Sequence, residues 1–129
     1  MKQDDLVLVP YTQFGTASGN YDGSSSQFYG DRQKAVGYYL SKDFINNLRF
    51  QTDEFGGSVV IYATLDQDPD DDTDTDWFSI YTFPGDSTTD GSTVVTTDYS
   101  TSVYGKFTWI RAKVENFTTG DIDKITLSY

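Results

Sequence analysis

The chain has 129 residues, a formal net charge of −11, no cysteine and no histidine. Its length suits one domain with a packed core, while disulfides, thiolate chemistry, cysteine-type zinc sites and histidine-based catalysis are excluded. Seven aspartates fall between Asp66 and Asp76, and outside them nine basic residues face only thirteen acids; phosphate backbones and anionic lipid would be repelled, so neither nucleic acid nor membrane insertion is expected.

Apolar residues recur with period two and no long window keeps helical spacing, which predicts an almost all-β chain. At the start, "LVLVPYTQF" reads as a first strand or an extended arm broken by Pro10. Its acids and short apolar patch make it neither a signal peptide nor a membrane span, so a soluble, unsecreted chain is expected. "GTASGNYDGSSSQFYGD" follows as a Gly/Ser-rich connection of nearly maximal loop length. The chain thus divides into an N-terminal strand or arm plus loop, residues 1–30, and a β-sandwich, residues 31–129, within one domain.

"KAVGYYLS" and "NNLRFQT" read as two strands joined near "KDFI". "GGSVVIYATLDQ" is a central strand, with Val59, Ile61, Ala63 and Leu65 alternating with Val60, Tyr62 and Thr64. "DWFSIYTF" is another, stopped by Pro84 and Gly85, and "STVVTTDYSTSVY" holds one or two threonine-rich edge strands. The clearest strand is "GKFTWIRAKVEN": Thr108, Ile110, Ala112 and Val114 form its core face, while Phe107, Trp109, Arg111, Lys113 and Glu115 form a face covered at one end and solvated at the other. The last strand, "DIDKITLSY", aligns Ile125, Leu127 and Tyr129; Ile122 falls out of phase, which predicts a bulge. Strands at such intervals with turn signals between them indicate an antiparallel β-sandwich of jelly-roll type.

The ordered series "GDRQKAVGYY", "GGSVVIYATLDQDP", "DWFSI" and "GKFTWIRAKVENFTTGDIDKITLSY" resembles a group of small β-sandwich virion structural proteins of tailed phages, particularly myoviruses of marine cyanobacteria. The likeness runs from about Asp31 to Tyr129. The long aspartate insertion and the N-terminal segment depart from it. What the resemblance implies is a non-enzymatic virion component, a capsid decoration or a neck, tail or fibre part, located in the virion and acting by adhesion to other virion proteins, with no catalytic residues to carry over.

The aspartate run has the oxygen ligands calcium prefers, and Asp66, Asp68, Asp70 and Asp72 are the candidate ligands. No EF-hand frame fits, because frames beginning at these residues end on Trp77, Ser79, Tyr81 or Phe83 where a bidentate acid is required. The competing reading is a mobile, self-repelling hairpin tip that aids solubility. No resident cofactor is expected.

Leu6, Val7, Leu8 and Val9 could add a strand to a neighbour's sheet edge, or form the first strand of their own sheet. Trp77 and Trp109, with Tyr38, Tyr39, Tyr62 and Tyr104, could stack on a host-surface glycan, making a carbohydrate-binding adhesin the alternative function; core or inter-sheet packing is the other use of the two tryptophans. Arg111 and Lys113 suit cross-strand pairing or contact with a neighbouring subunit in a homo-oligomer. Glu54 and Glu115, the two glutamates, both look solvated and make a poor hydrolytic pair. "NFT" at Asn116 fits a glycosylation sequon by coincidence in a turn.

Overall fold

The computed structural model describes residues 6–39, 45–70, 75–83 and 96–129. Its elements are β1 (Leu6–Val9), β2 (Thr12–Gln13), β3 (Phe28–Tyr29), β4 (Gln33–Lys34), a 3-10 turn (Val36–Tyr39), β5 (Ile45–Thr64), β6 (Phe78–Phe83), β7 (Thr96–Tyr104) and β8 (Trp109–Ser128). All pairings are antiparallel and all strands belong to one eight-stranded sheet.

Two 20-residue strands, β5 and β8, form the spine of that sheet. They pair along their lengths, from Asn47 opposite Ser128 to Thr64 opposite Trp109. Midway the register breaks between Asp53 and Ser58, and four residues take positive φ: Glu54 at 55°, Gly57 at 145°, Asn116 at 54° and Gly120 at 84°. Such backbone turns both strands at the same level, so the sheet is creased. At Gly120 the approach is tight, since a side chain there would run into the Glu54 carbonyl.

The crease divides the sheet into two arms. In the first, residues 45–53 of β5 pair with β7, and residues 121–127 of β8 pair with β1 and β2. In the second, residues 59–63 of β5 pair with β6, and residues 109–114 of β8 pair with β3 and β4. The arms face each other: Phe50 of the first stacks on Phe83 of the second with ring centres 4.6 Å apart and planes 10° from parallel. Between them lie Leu48, Ile125 and Leu127 from one side and Val59, Ile61, Ile110 and Val114 from the other, all essentially inaccessible. Each such side chain contributes about 1.5–3 kcal/mol on burial.

Different chemistry closes each end of the core. At the crease Tyr21, Phe28, Phe55 and Phe117 pack together, with centroids of successive pairs 5.1 to 5.7 Å apart along Phe28–Tyr21–Phe117–Phe55. At the far end the fully buried Asn46 donates to the carbonyls of Val103 (3.1 Å) and Gly105 (3.0 Å) and accepts from the Val36 amide at 3.5 Å. The Tyr129 hydroxyl donates to the Lys34 carbonyl at 2.7 Å across the same end.

The antiparallel all-β reading is what the chain adopts, with layers made by one folded sheet whose hydrogen bonding is continuous. The segments "NNLRFQT" and "GGSVVIYATLDQ", expected as separate strands, are one, and so are the strands of "GKFTWIRAKVEN" and "DIDKITLSY". Positive-φ residues bend these chains without ending their pairing. Over its described residues, 34–39, "KAVGYYLS" is not a strand beyond Lys34, because Gly37 lies against the carbonyls of Lys106 and Phe107, and its amide donates to Phe107 at 2.8 Å; residues 40–41 lie outside the described residues. The bulge expected near Ile122 is present: Lys124 pairs with Gln51, but Ile122 with the next residue, Thr52. Of the threonine-rich edge segment, residues 92–95 lie outside the described residues.

Candidate functional site

The outer surface of the second arm carries most of the polar chemistry. On β8 the core-facing residues alternate with Trp109, Arg111, Lys113 and Glu115, and β3 and β4 bring Tyr29, Arg32 and Lys34 alongside. Rings and cations interleave: the Lys34 ammonium lies 4.5 Å from the Tyr38 ring centre, the Arg32 guanidinium 4.4 Å from Trp109, and Lys113 5.2 Å from Tyr29. Arg111, only 2% exposed, is held by two rings, Tyr29 at 4.2 Å and Trp77 at 4.3 Å. Ring faces attract cations by about 0.5–2 kcal/mol, the larger values applying where water is excluded. Lys113 also meets Glu115 at 3.4 Å.

The acidic segment lies across this row. Both indoles donate to its backbone, Trp109 to the Gln67 carbonyl at 2.9 Å and Trp77 to the Asp70 carbonyl at 3.0 Å. Arg32 donates to the Pro69 carbonyl at 3.2 Å, and Pro69 is buried. Asp66, Asp68 and Asp70 are exposed; Asp68 reaches Arg32 at 3.7 Å but is 94% accessible, so that pair adds little. The expectation of solvated carboxylates therefore holds at these three, and the main-chain carbonyls of Gln67, Pro69 and Asp70 are docked on the arm; residues 71–74, the middle of the expected hairpin tip, lie outside the described residues. Asp72 lies outside the described residues. Among the described residues no group of three or more Asp, Glu, His or Cys comes together as a metal would require.

Other candidate residues are distributed as follows. Trp77 is 6% exposed and turned onto Arg111, and Trp109 has Arg32 over its ring, so neither forms an open stacking platform. Leu6, Val7, Leu8 and Val9 form β1, paired with β8 of the same chain, with Leu8 and Val9 in the core. Glu54 is exposed at the crease, and Glu115 pairs with Lys113 on the outer face. Asn116 is exposed in the left-handed region beside the crease.

Three further surface features have definite chemistry. Beside the cation row, a cleft of about 600 Å³ opens between the segment of residues 20–32 and β8. In the turn before β3, the Asp22 carboxylate accepts from the amides of Ser24 (2.9 Å) and Ser25 (2.8 Å) and from the Ser25 hydroxyl (2.8 Å); these bonds hold its pKa down at about 2. On the outer face of the first arm, Ser100, Ser102, Thr126 and Ser128 line a groove of about 330 Å³, flanked by Arg49, which bonds Asp98 through two contacts of 2.9 and 2.7 Å. That pairing lowers the Asp98 pKa.

The third feature is apolar and lies at the end farthest from the crease. Ile45 and Tyr104 are register partners, Phe78 packs edge-on to Phe107 at 5.9 Å, and the Leu65 carbonyl accepts from Thr108 at 3.1 Å. Leu65 and Tyr104 are each 64% exposed, Ile45 and Phe78 each 42%. The alternation implies cover at the Phe107–Trp109 end and solvent at Arg111 and Lys113; Arg111 is instead buried, because Tyr29 and Trp77 close over it, and Tyr29, Arg32 and Lys34, in a segment of turn residues, could not be placed there without pairing information. Comparison with family models, curated proteins and solved structures finds no match to this chain.

Proposed function

We propose that this chain is a non-enzymatic structural protein of a tailed-phage virion, a capsid decoration or a neck, tail or fibre component that acts by protein–protein adhesion. The observation that carries the adhesive part is the exposure of Ile45, Leu65, Phe78 and Tyr104 at the end farthest from the crease, where Ile45 pairs with Tyr104 and Phe78 packs on Phe107. Large apolar side chains gathered at one end are costly to leave in water and characteristic of surfaces that meet another protein. A creased antiparallel sheet with its core sealed at both ends supplies a rigid mount for such a surface. The virion assignment rests on the sequence resemblance from Asp31 to Tyr129.

Two measurements test this reading. Mass spectrometry of purified virions with copy number is expected to find the protein: hundreds of copies mean a shell decoration, a dozen or fewer a tail or neck part, and none refutes the assignment. Leu65→Ser with Tyr104→Ser is expected to leave the circular-dichroism spectrum and melting unchanged but to abolish incorporation into particles. Incorporation at the parental level would remove the apolar end from the mechanism.

A further inference from the structure

β7 is a sheet edge without the features that ordinarily blunt one. It runs for nine residues, Thr96–Tyr104, and pairs with β5 in unbroken register from Asp53 to Ile45. Among the described residues no other strand pairs with it. The Val103 and Gly105 carbonyls turn toward β5, where both accept from the Asn46 amide, so by alternation the main-chain groups of Ser100 and Ser102 turn outward. Edge strands are normally shortened, bulged, or guarded by lysine or proline. "TTDYSTSVY" has neither residue, and its one charge, Asp98, is held by Arg49 through contacts of 2.9 and 2.7 Å.

The side chains of this edge complement themselves. Tyr99 rests on Phe83, Tyr81 and Phe50, with centroids 6.1 to 6.4 Å apart, yet remains exposed, and Val103 on the same side packs against the core. An antiparallel copy of β7, with Thr101 opposite Thr101, sets Tyr99 of each chain against Val103 of the other, an aromatic–β-branched pair made twice. On the outer side Ser100 meets Ser102, and Asp98 meets the exposed ring of Tyr104. No acid faces an acid, which decides the register for two chains of −11 each. A centre at Asp98 would oppose two carboxylates, and a centre at Ser100 would set Tyr99 against Thr101 and leave Val103 beyond it.

We propose that this protein forms a two-fold homodimer in which β7 of each copy adds to the sheet of the other, antiparallel and centred on Thr101. Ser100 and Ser102 of the two copies then exchange about four main-chain hydrogen bonds, and the Tyr99–Val103 pairs fix the register. The seam goes beyond the adhesive reading. Tyr104 borders both surfaces, but Leu65 and Phe78 lie with the second arm and take no part in it.

Sedimentation velocity and amide chemical shifts on the 129-residue protein, from about 10 μM to about 1 mM, cover the affinities of a small interface. The expected result is a concentration-dependent dimer whose shift changes gather on residues 98–104. Ser100→Lys with Ser102→Lys, both at exposed positions, opposes lysine to lysine twice and should weaken dimerisation about tenfold. Ser100→Lys with Ser102→Glu opposes lysine to glutamate in the same register and should restore it to the parental level or better. Both double variants should melt as the parent does when dilute; should either melt lower, the parental shift map decides the matter alone. Leu65→Ser, which impairs the apolar end, should leave the dimer intact. The proposal is overturned by a monomer at every concentration, by shift changes centred elsewhere, by equal weakening in the two double variants, or by a dimer that Leu65→Ser dissolves.

Discussion

Arg111 is the side chain whose environment departs most from what a strand's outer face usually provides. A cation 2% exposed has lost its water, and such a loss costs several kcal/mol unless other groups replace the solvent. Tyr29 and Trp77 supply part of that replacement by lying against the guanidinium. Lysine at this position would keep the charge but not the flat contact, so Arg111→Lys is expected to lower stability by about 1–2 kcal/mol. Arg111→Ala would also leave a gap between two rings and should cost about 3 kcal/mol or more. Urea unfolding with an unchanged m-value measures both. A lysine variant as stable as the parent would show that the rings contribute nothing specific to arginine.

Asp22 gives a pH-dependent prediction at the same scale. Its pKa falls from 3.8 to about 2 because two serine amides and a serine hydroxyl bond its charged form. A depressed folded pKa stabilises the chain above the unfolded value, and the contribution is lost as pH falls through the folded one. Between pH 4 and 2 the parent should therefore lose melting temperature faster than Asp22→Asn, with the two curves parallel above pH 5. Parallel curves throughout would mean that the turn is not bonded to the carboxylate in solution. Arg111 was readable in the sequence as a member of the outer face, but at its solvated end; its burial was not readable, because it depends on Tyr29, 82 positions away, and nothing local to "SSQFYGD" reports which strand that residue will join.

At the scale of elements, the crease decides the architecture. Glu54 and Asn116 hold left-handed φ on β5 and β8, and Gly57 and Gly120 complete the turn. Left-handed backbone costs a residue with a side chain roughly 1–2 kcal/mol, partly offset by the greater entropy glycine loses on folding. Glu54→Gly is thus expected to stabilise by up to about 1 kcal/mol. Asn116→Gly should gain less, since asparagine tolerates this region. Gly120→Ala meets both the strained φ and the Glu54 carbonyl, so it should destabilise by about 2 kcal/mol or more. Calorimetry on the three variants reads the order directly, and a neutral Gly120→Ala would deny the crease its tight approach.

The strands themselves were legible because alternation survives the bend: Val59, Ile61 and Ala63, like Ile110, Ala112 and Val114, are buried as their spacing implied. What hid the true length of β5 and β8 was the turn chemistry at their centres. "DEFGG" and "NFTTGD" carry the residues that ordinarily separate strands, and only the pairing of the two bends at one level shows that they fold a sheet instead of ending it. The acidic segment was legible in charge but not in its docking, because its anchors are main-chain carbonyls, which any sequence has. Its partners, the Trp77 and Trp109 indoles and Arg32, were visible only as types.

For the molecule as a whole, the balance to be decided is between self-repulsion and local pairing. The charge of −11 is concentrated near residues 66–76, and like charges raise the free energy of a compact state. Against this stand pairs such as Arg49–Asp98 and Lys113–Glu115, each worth at most about 1 kcal/mol where exposed. Salt weakens both effects, but repulsion acts over longer distances and is screened more completely as the Debye length falls from about 30 Å at 0.01 M to about 10 Å at 0.1 M. Repulsion should therefore dominate the response, and the melting temperature is expected to rise by about 3 °C or more over that interval, the equivalent of roughly 1 kcal/mol for a domain of this size. Replacing Asp66, Asp68 and Asp70 by serine lowers the net charge from −11 to −8 and should flatten the salt dependence while raising the low-salt melting point. A melting temperature that falls with salt would reverse the assignment, meaning that the acidic segment is held to Arg32 and its neighbours mainly by attraction and that the carbonyl anchors are secondary.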